Sequence, residues 1–317
     1  MLRGVPVFYM TGCKSRKDDD MKKGLRKREA LTGFFFLLPN LLGFFAFTAF
    51  PVLAGLLLSF TDYDGFTFKN MHWVGISNFI KLFQDDYFII SFKNNLIYTA
   101  TSVPLTLFFS LLLALALNRK TPLGGMFKTV YFFPTITSMV AVAIVWTLLF
   151  HPTMGPINNF LHAMGMQNPP GWLASSKWAL ATVVTVSVWK YAGYYMIMIL
   201  AGLQTIPGHL YESSEIDGAS IWQRFLYITW PMLSPTMFMV TILSIINSFQ
   251  VFDLVYIMTE GGPGSSTNVL VFRIYQEGFK YTRFGYASAM AYFLFLVIFI
   301  ITLLQFRGQK KWVNYMQ

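Results

Sequence analysis

Charge is scarce in this chain of 317 residues: Asp, Glu, Lys and Arg together make up 12% of it. That is about half the usual share of a soluble domain. With 55% of the residues hydrophobic, the balance excludes an ordinary water-soluble fold and points to an integral membrane protein. Cysteine is scarcer still. Cys13 stands alone, so no intramolecular disulfide can form. Four scattered histidines and one cysteine give no zinc-type spacing. The chain also lacks any G-x-x-x-x-G-K-[ST]: "GGPGSST" at 261–267 is rich in glycine but has no lysine, so the chain has no phosphate-binding loop with which to hydrolyse ATP. The formal charge of +10 raises a nucleic-acid reading, yet the positive residues sit at the ends of apolar runs and form no basic face.

What the chain has is long apolar runs. A transmembrane helix needs about 20 largely apolar residues, and six stretches qualify: 34–60, 96–117, 130–150, 178–203, 232–258 and 287–306. Pro39, Pro51, Pro104 and Pro134 lie inside them or near their ends, where membrane helices tolerate kinks. Sixteen Lys and Arg fall on one side of these spans, among them Arg3, Lys14, Lys22, Arg28, Arg119, Lys120, Lys128, Arg224 and Arg307. Seven fall on the other (Lys69, Lys81, Lys93, Lys177, Arg273, Lys280 and Arg283), and Lys190 lies within the fourth span. The richer side is expected to be cytoplasmic, which places both termini and the 204–231 connection there. Residues 1–33 read as a disordered cytoplasmic leader and 34–317 as one membrane domain. "VPVFYMTGC", ending at Cys13, has too short an apolar part for a signal peptide, and a basic cluster follows it. Met1 and Met21 both remain open as the start.

Between the first two spans, "VGISNFIKLFQDDYFIISFKNN" alternates at helical spacing and predicts an amphipathic helix at the outer surface. The 204–231 connection predicts a helix–turn–helix hook. Pro207 suits a first helical turn, Leu210 to Ile216 continue a helix, and Asp217-Gly218 supplies a turn. Ser220 caps a second helix with Gln223 three residues on, and Pro231 ends it. Carboxylates and aromatics around a tight turn suit docking into a partner's groove, where apolar anchors give affinity and charges give register; a bland interfacial helix pair is the simpler alternative.

The hook resembles the EAA signature of permease subunits of binding-protein-dependent ATP-binding-cassette importers, roughly E-A-A-x-x-D-G-A followed by F-x-x-I-x-x-P-x-x-x-P. Here it reads Glu212, Ser213, Ser214, Asp217, Gly218, Ala219, then Phe225, Ile228, Pro231 and Pro235, with serine at both alanine positions. The flanks "WKYAGYYMIMILAGLQTIP" and "SFQVFDLVYIMTEGGPGSSTNVL" are similar to maltose and glycerol-phosphate permeases, and the resemblance runs from about Phe34 to the C-terminus. It implies an all-α permease of six transmembrane helices that imports a carbohydrate by alternating access; a di- or oligosaccharide is the first expectation, with glycerol-phosphate or an amino sugar left open. It implies that Glu212, Ser213, Ser214, Asp217, Gly218, Ala219 and Phe225 couple the spans to a separate ATPase. The implied partners are a second related permease, two ATPase subunits holding ATP and Mg, and an extracellular or periplasmic sugar-binding protein docked on 61–94, 151–177 and 257–285 in a bacterial inner or plasma membrane. No cofactor and no catalysis are expected of this chain itself.

Polar residues inside spans are functional candidates, although many only join helices. The fifth span carries Thr241, Ser244, Asn247 and Ser248, and the fourth carries Ser187, Trp189, Lys190, Tyr191 and Tyr194. Sugars offer hydroxyls for hydrogen bonds and C–H faces for aromatic stacking. Ser187, Trp189, Tyr194, Ser244, Asn247 and Ser248 are the expected solute contacts, carried over from the resembling permeases. Lys190 can pair with a carbonyl or a partner's acid, or snorkel; Asp253 caps, gates or is simply solvated. The rival reading is a carrier driven by H⁺ or Na⁺, but such proteins use intramembrane carboxylates and Asp253 is the one candidate. A scaffold or sensor is the second rival.

Overall fold

The computed structural model describes residues 16–118 and 123–313. The surroundings of Cys13, Arg3 and Lys14, and the basic pair Arg119 and Lys120, lie outside the described residues. Among the described residues every regular element is helical; the exception to helix and loop is an isolated bridge between Thr61 and Trp73. The chain divides into two units, Met1–Gly55 and Leu56–Gln317.

The first unit is built on α1 (Arg16–Phe44), which passes through a π-turn (Phe45–Ala49) toward α2 (Phe50–Leu58). Leu31–Leu58 is long and apolar enough to cross a membrane. Residues 16–33, expected in a disordered leader, are helical instead. Lys, Arg, Glu, Leu and Met, good helix formers, outnumber Asp, Gly and Thr there, no proline interrupts them, and they are continuous with an apolar helix that supplies the costly nucleus.

The second unit contains α3 (Ser77–Leu82), α4 (Asp86–Leu117), α5 (Gly124–Ile136), α6 (Met139–Leu149), α7 (Pro156–Ala163), α8 (Ala179–Gln204), α9 (Gly208–Ile216), α10 (Ile221–Arg224), α11 (Trp230–Phe249), α12 (Asp253–Met258), α13 (Leu270–Tyr275) and α14 (Phe284–Gly308). The predicted surface helix over 74–95 is two pieces: α3, and the start of α4, which Asp85 begins by accepting from the Tyr87 and Phe88 amides. The third span is a pair, α5 and α6, bent by 97°. Asp86–Leu117, Ala179–Gln204, Ile221–Phe249 and Phe284–Gly308 of this unit, with Leu31–Leu58, make five helices among the described residues that can cross a membrane, or six with the bent pair. The fifth span does not run to Met258; it stops at Phe249, and α12 follows after a break. Pro231 does not end the hook either. A π-turn, Phe225–Thr229, joins α10 to α11, so that Ile221–Phe249 is one helical run. The Trp230 amide reaches back to the Phe225 carbonyl, and the proline, which has no amide to offer, falls where the register has already widened.

α8 is the axis of this unit. Near its start Val183 and Val186 bury with Tyr98 of α4, Val142 and Ala143 of α6 and Val255 of α12. Toward its end Tyr195, Met196 and Ile199 bury with Ala114 of α4 and Leu233 and Met237 of α11. In lipid the apolar effect does not drive helices together, so close backbone approach does much of that work. Gly193 shows it: a Cβ there would lie 1.8 Å from the Tyr131 carbonyl oxygen of α5.

Candidate functional site

Two features carry functional chemistry, a polar cavity and the hook. The cavity, about 170 Å³, is enclosed by α4, α8, α11, Met139 of α6 and the 250–254 break. Tyr98, Ser102 and Thr106 line it from α4, and Ser187, Tyr191 and Tyr195 from α8, each set spaced by four residues along one helix face. Ser244, Asn247 and Ser248 complete it from α11. The Tyr98 hydroxyl donates to Ser187 Oγ at 2.7 Å, and Asn247 Nδ2 donates to the Tyr195 hydroxyl at 2.9 Å. Ser248 Oγ donates to Thr99 Oγ1 at 3.1 Å. Ser102 Oγ is buried without a partner. Asp253 brings a carboxylate to the wall, while the ammonium of Lys190 is turned away to backbone carbonyls of α5. The lining thus offers hydroxyls, an amide and aromatic rings, with no nucleophile held against a base.

Of the six expected solute contacts, Ser187, Ser244, Asn247 and Ser248 line the cavity, and Trp189 and Tyr194 do not. Trp189 faces a separate apolar groove with Pro134 and Trp146, and packs edge-on against Trp146 at 5.3 Å. Tyr194 is part-exposed and stacks edge-on against Tyr195. The reason is helical drift. The lining row steps by four and arrives at Tyr195, whereas an i, i+7 count from Ser187 arrives at Tyr194. Tyr98, Ser102, Thr106, Tyr195 and Gln250 were missed. The first three were legible as polar residues every fourth place in "YTATSVPLT".

The turn and the caps of the hook fold as the sequence predicts, although its second helix runs on past Pro231. Gly218 has φ +72°, the left-handed conformation that closes a helix. The Gly218 amide donates to the Glu215 carbonyl at 3.1 Å and the Ala219 amide to the Ser214 carbonyl at 2.9 Å, the paired bonds of a Schellman ending. Ser220 and Gln223 form a reciprocal capping box. Glu212, Ser213, Asp217 and Gly218 are exposed, whereas Ser214, Ala219 and Phe225 are half-buried. Ser214 Oγ donates to the Tyr211 carbonyl at 2.7 Å, and Phe225 packs against Trp222 and Trp230. Those three therefore shape the hook from within. Its free surface adds large apolar groups: Ile216 is 87% exposed, Trp222 74% and Tyr227 77%. The Arg224–Glu215 pair, at 3.7 Å with Glu215 exposed, contributes little.

Comparison with known proteins supplies an independent view. Residues 106–312 match the family model described as "Binding-protein-dependent transport system inner membrane component". The chain is 37% identical over 302 residues to a probable ABC transporter permease protein, YesP, of Bacillus subtilis, covering 94% of this chain and 96% of that protein. It is 34% identical over 295 residues to the lactose transport system permease protein LacF of Rhizobium radiobacter, covering 92% and 98%. Among solved structures it is similar to a chain of a bacterial alginate ABC transporter in complex with an alginate pentasaccharide-bound periplasmic protein, with a TM-score of 0.79, 26% identity, and 90% and 96% of the two chains covered.

Proposed function

We propose, on the premise that this chain belongs to the binding-protein-dependent transport system inner membrane component family, that it forms half of the pathway of an ATP-driven carbohydrate importer that works by alternating access. It is a multi-pass membrane permease. A second related permease lines the other half. Two separate ATPase subunits hold ATP and Mg, and this chain hydrolyses nothing. An extracytoplasmic binding protein delivers the solute. Both termini and the hook face the cytoplasm, as the distribution of Lys and Arg requires.

One observation carries this reading. The hook and the cavity wall are two ends of one helix, Ile221–Phe249. Twenty-nine residues at 1.5 Å each make a rod of about 43 Å. Ile221 and Trp222 stand exposed at one end, and Ser244, Asn247 and Ser248 line the cavity at the other. A push on the hook therefore moves cavity-lining groups directly. Glu212, exposed and outside every ion pair of the described residues, sets the register of docking, and Ile216 and Trp222 are its apolar anchors.

The wall also narrows the solute. Its formal charge is the Asp253 carboxylate, with Lys190 engaged elsewhere. A phosphate or uronate would meet repulsion from this half of the pathway, so a neutral di- or oligosaccharide fits best. The test is purification of the tagged chain from its membrane in mild detergent, with mass spectrometry of what accompanies it. A second six-span permease and a P-loop ATPase are expected. Recovery of the chain alone or as a homo-oligomer, under conditions that preserve other membrane complexes, sinks the proposal.

A further inference from the structure

Lys190 is the one cation of the described residues deep inside an apolar span; the other Lys and Arg of these spans lie within about two turns of a helix end. It is 4% exposed. Such a residue is costly and needs a partner, yet no carboxylate faces it. Instead its Nζ donates to the carbonyl oxygens of Pro134 at 2.7 Å, of Thr135 at 3.5 Å, and of Thr137. An ammonium has three protons and no acceptor, and here it finds three acceptors.

Those acceptors are not arbitrary. They belong to the last turn of α5 and the first residue past it, where the third span breaks. Thr137 and Ser138 are extended, with ψ near 142° and 134°, and α6 leaves at 97° to α5. A helix C-terminus leaves its final carbonyls without helical donors, and irregular backbone in a membrane persists only where those groups are satisfied again. The C-terminal end of α5 also carries partial negative charge, which a cation stabilises. The reverse contact ties the same two helices, since Thr135 Oγ1 donates to the Lys190 carbonyl at 3.3 Å. Three residues on, Gly193 lets the α5 backbone sit against α8. Directly past the break, Met139 enters the cavity wall, and Ser187 and Tyr191 flank Lys190 on the cavity side of α8.

We propose that Lys190 is a positioning residue for transport: its ammonium caps the broken end of α5, holds α6 bent away, and thereby fixes Met139 against the cavity. Its role in transport rests on the function proposed above; its role in holding the bend does not. The bend is a distance. With spin labels at Val130 and Leu148, both exposed, and Cys13 replaced by serine, arms of about 9 and 13 Å meeting near a right angle put the labelled backbones about 15 Å apart, against about 27 Å for a straight helix. The experiment uses the assembled complex, purified with its own partners, and reads pulsed electron–electron distances together with binding-protein-stimulated ATP hydrolysis.

The parent and Lys190→Arg are expected to keep the short distance, and Lys190→Arg most of the hydrolysis. Lys190→Met is expected to spread toward the long distance and lose at least fivefold in hydrolysis. Lys190→Gln, which keeps two donors without charge, replaces Lys190→Met if that variant is not recovered from the membrane, and an intermediate spread is expected of it. An unchanged distance in the neutral variant overturns the proposal. A lengthened distance with undiminished hydrolysis overturns the role in transport. If no ATPase co-purifies, the function proposed above fails, and the distances still decide whether Lys190 holds the bend.

Discussion

Gly218 offers a substitution series that separates two explanations of the hook. Its φ of +72° is one that residues with a Cβ rarely adopt, yet a Cβ built there meets nothing within 4 Å. The penalty for a side chain in the free chain is therefore all backbone. For an ordinary L-residue it is about 1–2 kcal/mol; Asn pays less, and a β-branched residue sits at the upper end or beyond. At 1.4 kcal/mol per tenfold, the equilibrium for the ordered turn falls by about five- to 30-fold for Gly218→Ala and by about 30-fold or more for Gly218→Val. Gly218→Asn should stay within about threefold of the parent. The assay is sugar uptake into proteoliposomes holding the full complex, with binding-protein-stimulated ATP hydrolysis beside it. Activity falling in the order Gly, Asn, Ala, Val supports the turn as the element that matters. Full activity in Gly218→Val refutes the need for the turn. Equal damage in Asn and Val shows that a side chain of any shape obstructs the docking surface, and that the backbone argument is wrong.

Three further outcomes follow from the packing. Gly193→Ala places a methyl 1.8 Å from the Tyr131 carbonyl and 2.6 Å from its carbon; backbone cannot swing aside, so α5 must move, and overpacking costs about 1–3 kcal/mol, read as a lower thermal midpoint in detergent. Asn247→Ala removes the donor to the Tyr195 hydroxyl on the cavity wall and should raise the KM for uptake about tenfold, from the loss of ~1.4 kcal/mol of hydrogen bonding, whereas Trp189→Ala, off the wall, should leave KM alone; the reverse pattern would restore the solute role expected of Trp189. Glu277 is fully buried, with its carboxylate 2.6 Å from Arg273 and 3.4 Å from Arg283. Glu277→Gln keeps an acceptor beside Arg273 and removes the charge that burial disfavours, leaving Arg273 with Asp85 at 3.6 Å and the Tyr87 ring at 4.9 Å; its melting midpoint at neutral pH should not fall below the parent's in the same assay. Burial raises the Glu277 carboxyl above its ordinary value, with the two arginines pulling against it. The fold thus favours protonated Glu277: stability from this group is complete below the ordinary carboxylate range and is lost as pH rises through the raised value, a slope that Glu277→Gln should flatten.

The sequence was most legible where local chemistry decides structure. "EIDGASIWQ" contains both a left-handed closing glycine and a capping box, and neither needs any tertiary partner to form, so the hook could be drawn residue by residue. Hydropathy located the apolar runs for a similar reason, because the thickness of a bilayer is a local constraint. It could not see that Thr137 and Ser138 are extended. That break is stable because Lys190, more than fifty residues away in the chain, supplies the protons its carbonyls lack, and a window of hydropathy averages across it. The end of the fifth span failed likewise: "FQVFDLVY" is apolar enough to continue a helix, and only its packing against α13 through Phe252, Tyr256 and Phe272 shows that it turns. The cavity was half legible. Polar residues were found on the spans where they were sought, but their direction depends on how far each helix rotates against its neighbour, which no count of spacing fixes.

The rod from hook to cavity can be tested without touching either end. Met239 lies between Thr229, where the π-turn closes, and Ser244, the first cavity residue of α11, and its side chain is 54% exposed. Met239→Ala should therefore change little. Met239→Pro removes one helical hydrogen bond and drives a ring into the carbonyl of Pro235, a local cost of about 3 kcal/mol. Membrane helices absorb such a cost as a kink, so the chain should still insert, and the exposed end of the hook at Ile221 and Trp222, more than four turns away, should still dock. What changes is transmission: a displacement of Ile221 and Trp222 is taken up at the kink and no longer arrives at Asn247. The expected result is a complex that assembles with its ATPase and hydrolyses ATP while importing little sugar. Uptake at the parent rate would mean that force reaches the cavity by another route, such as the packing of α9, through Leu210 and Tyr211, into the cluster that holds Leu117 of α4 and Leu203 of α8.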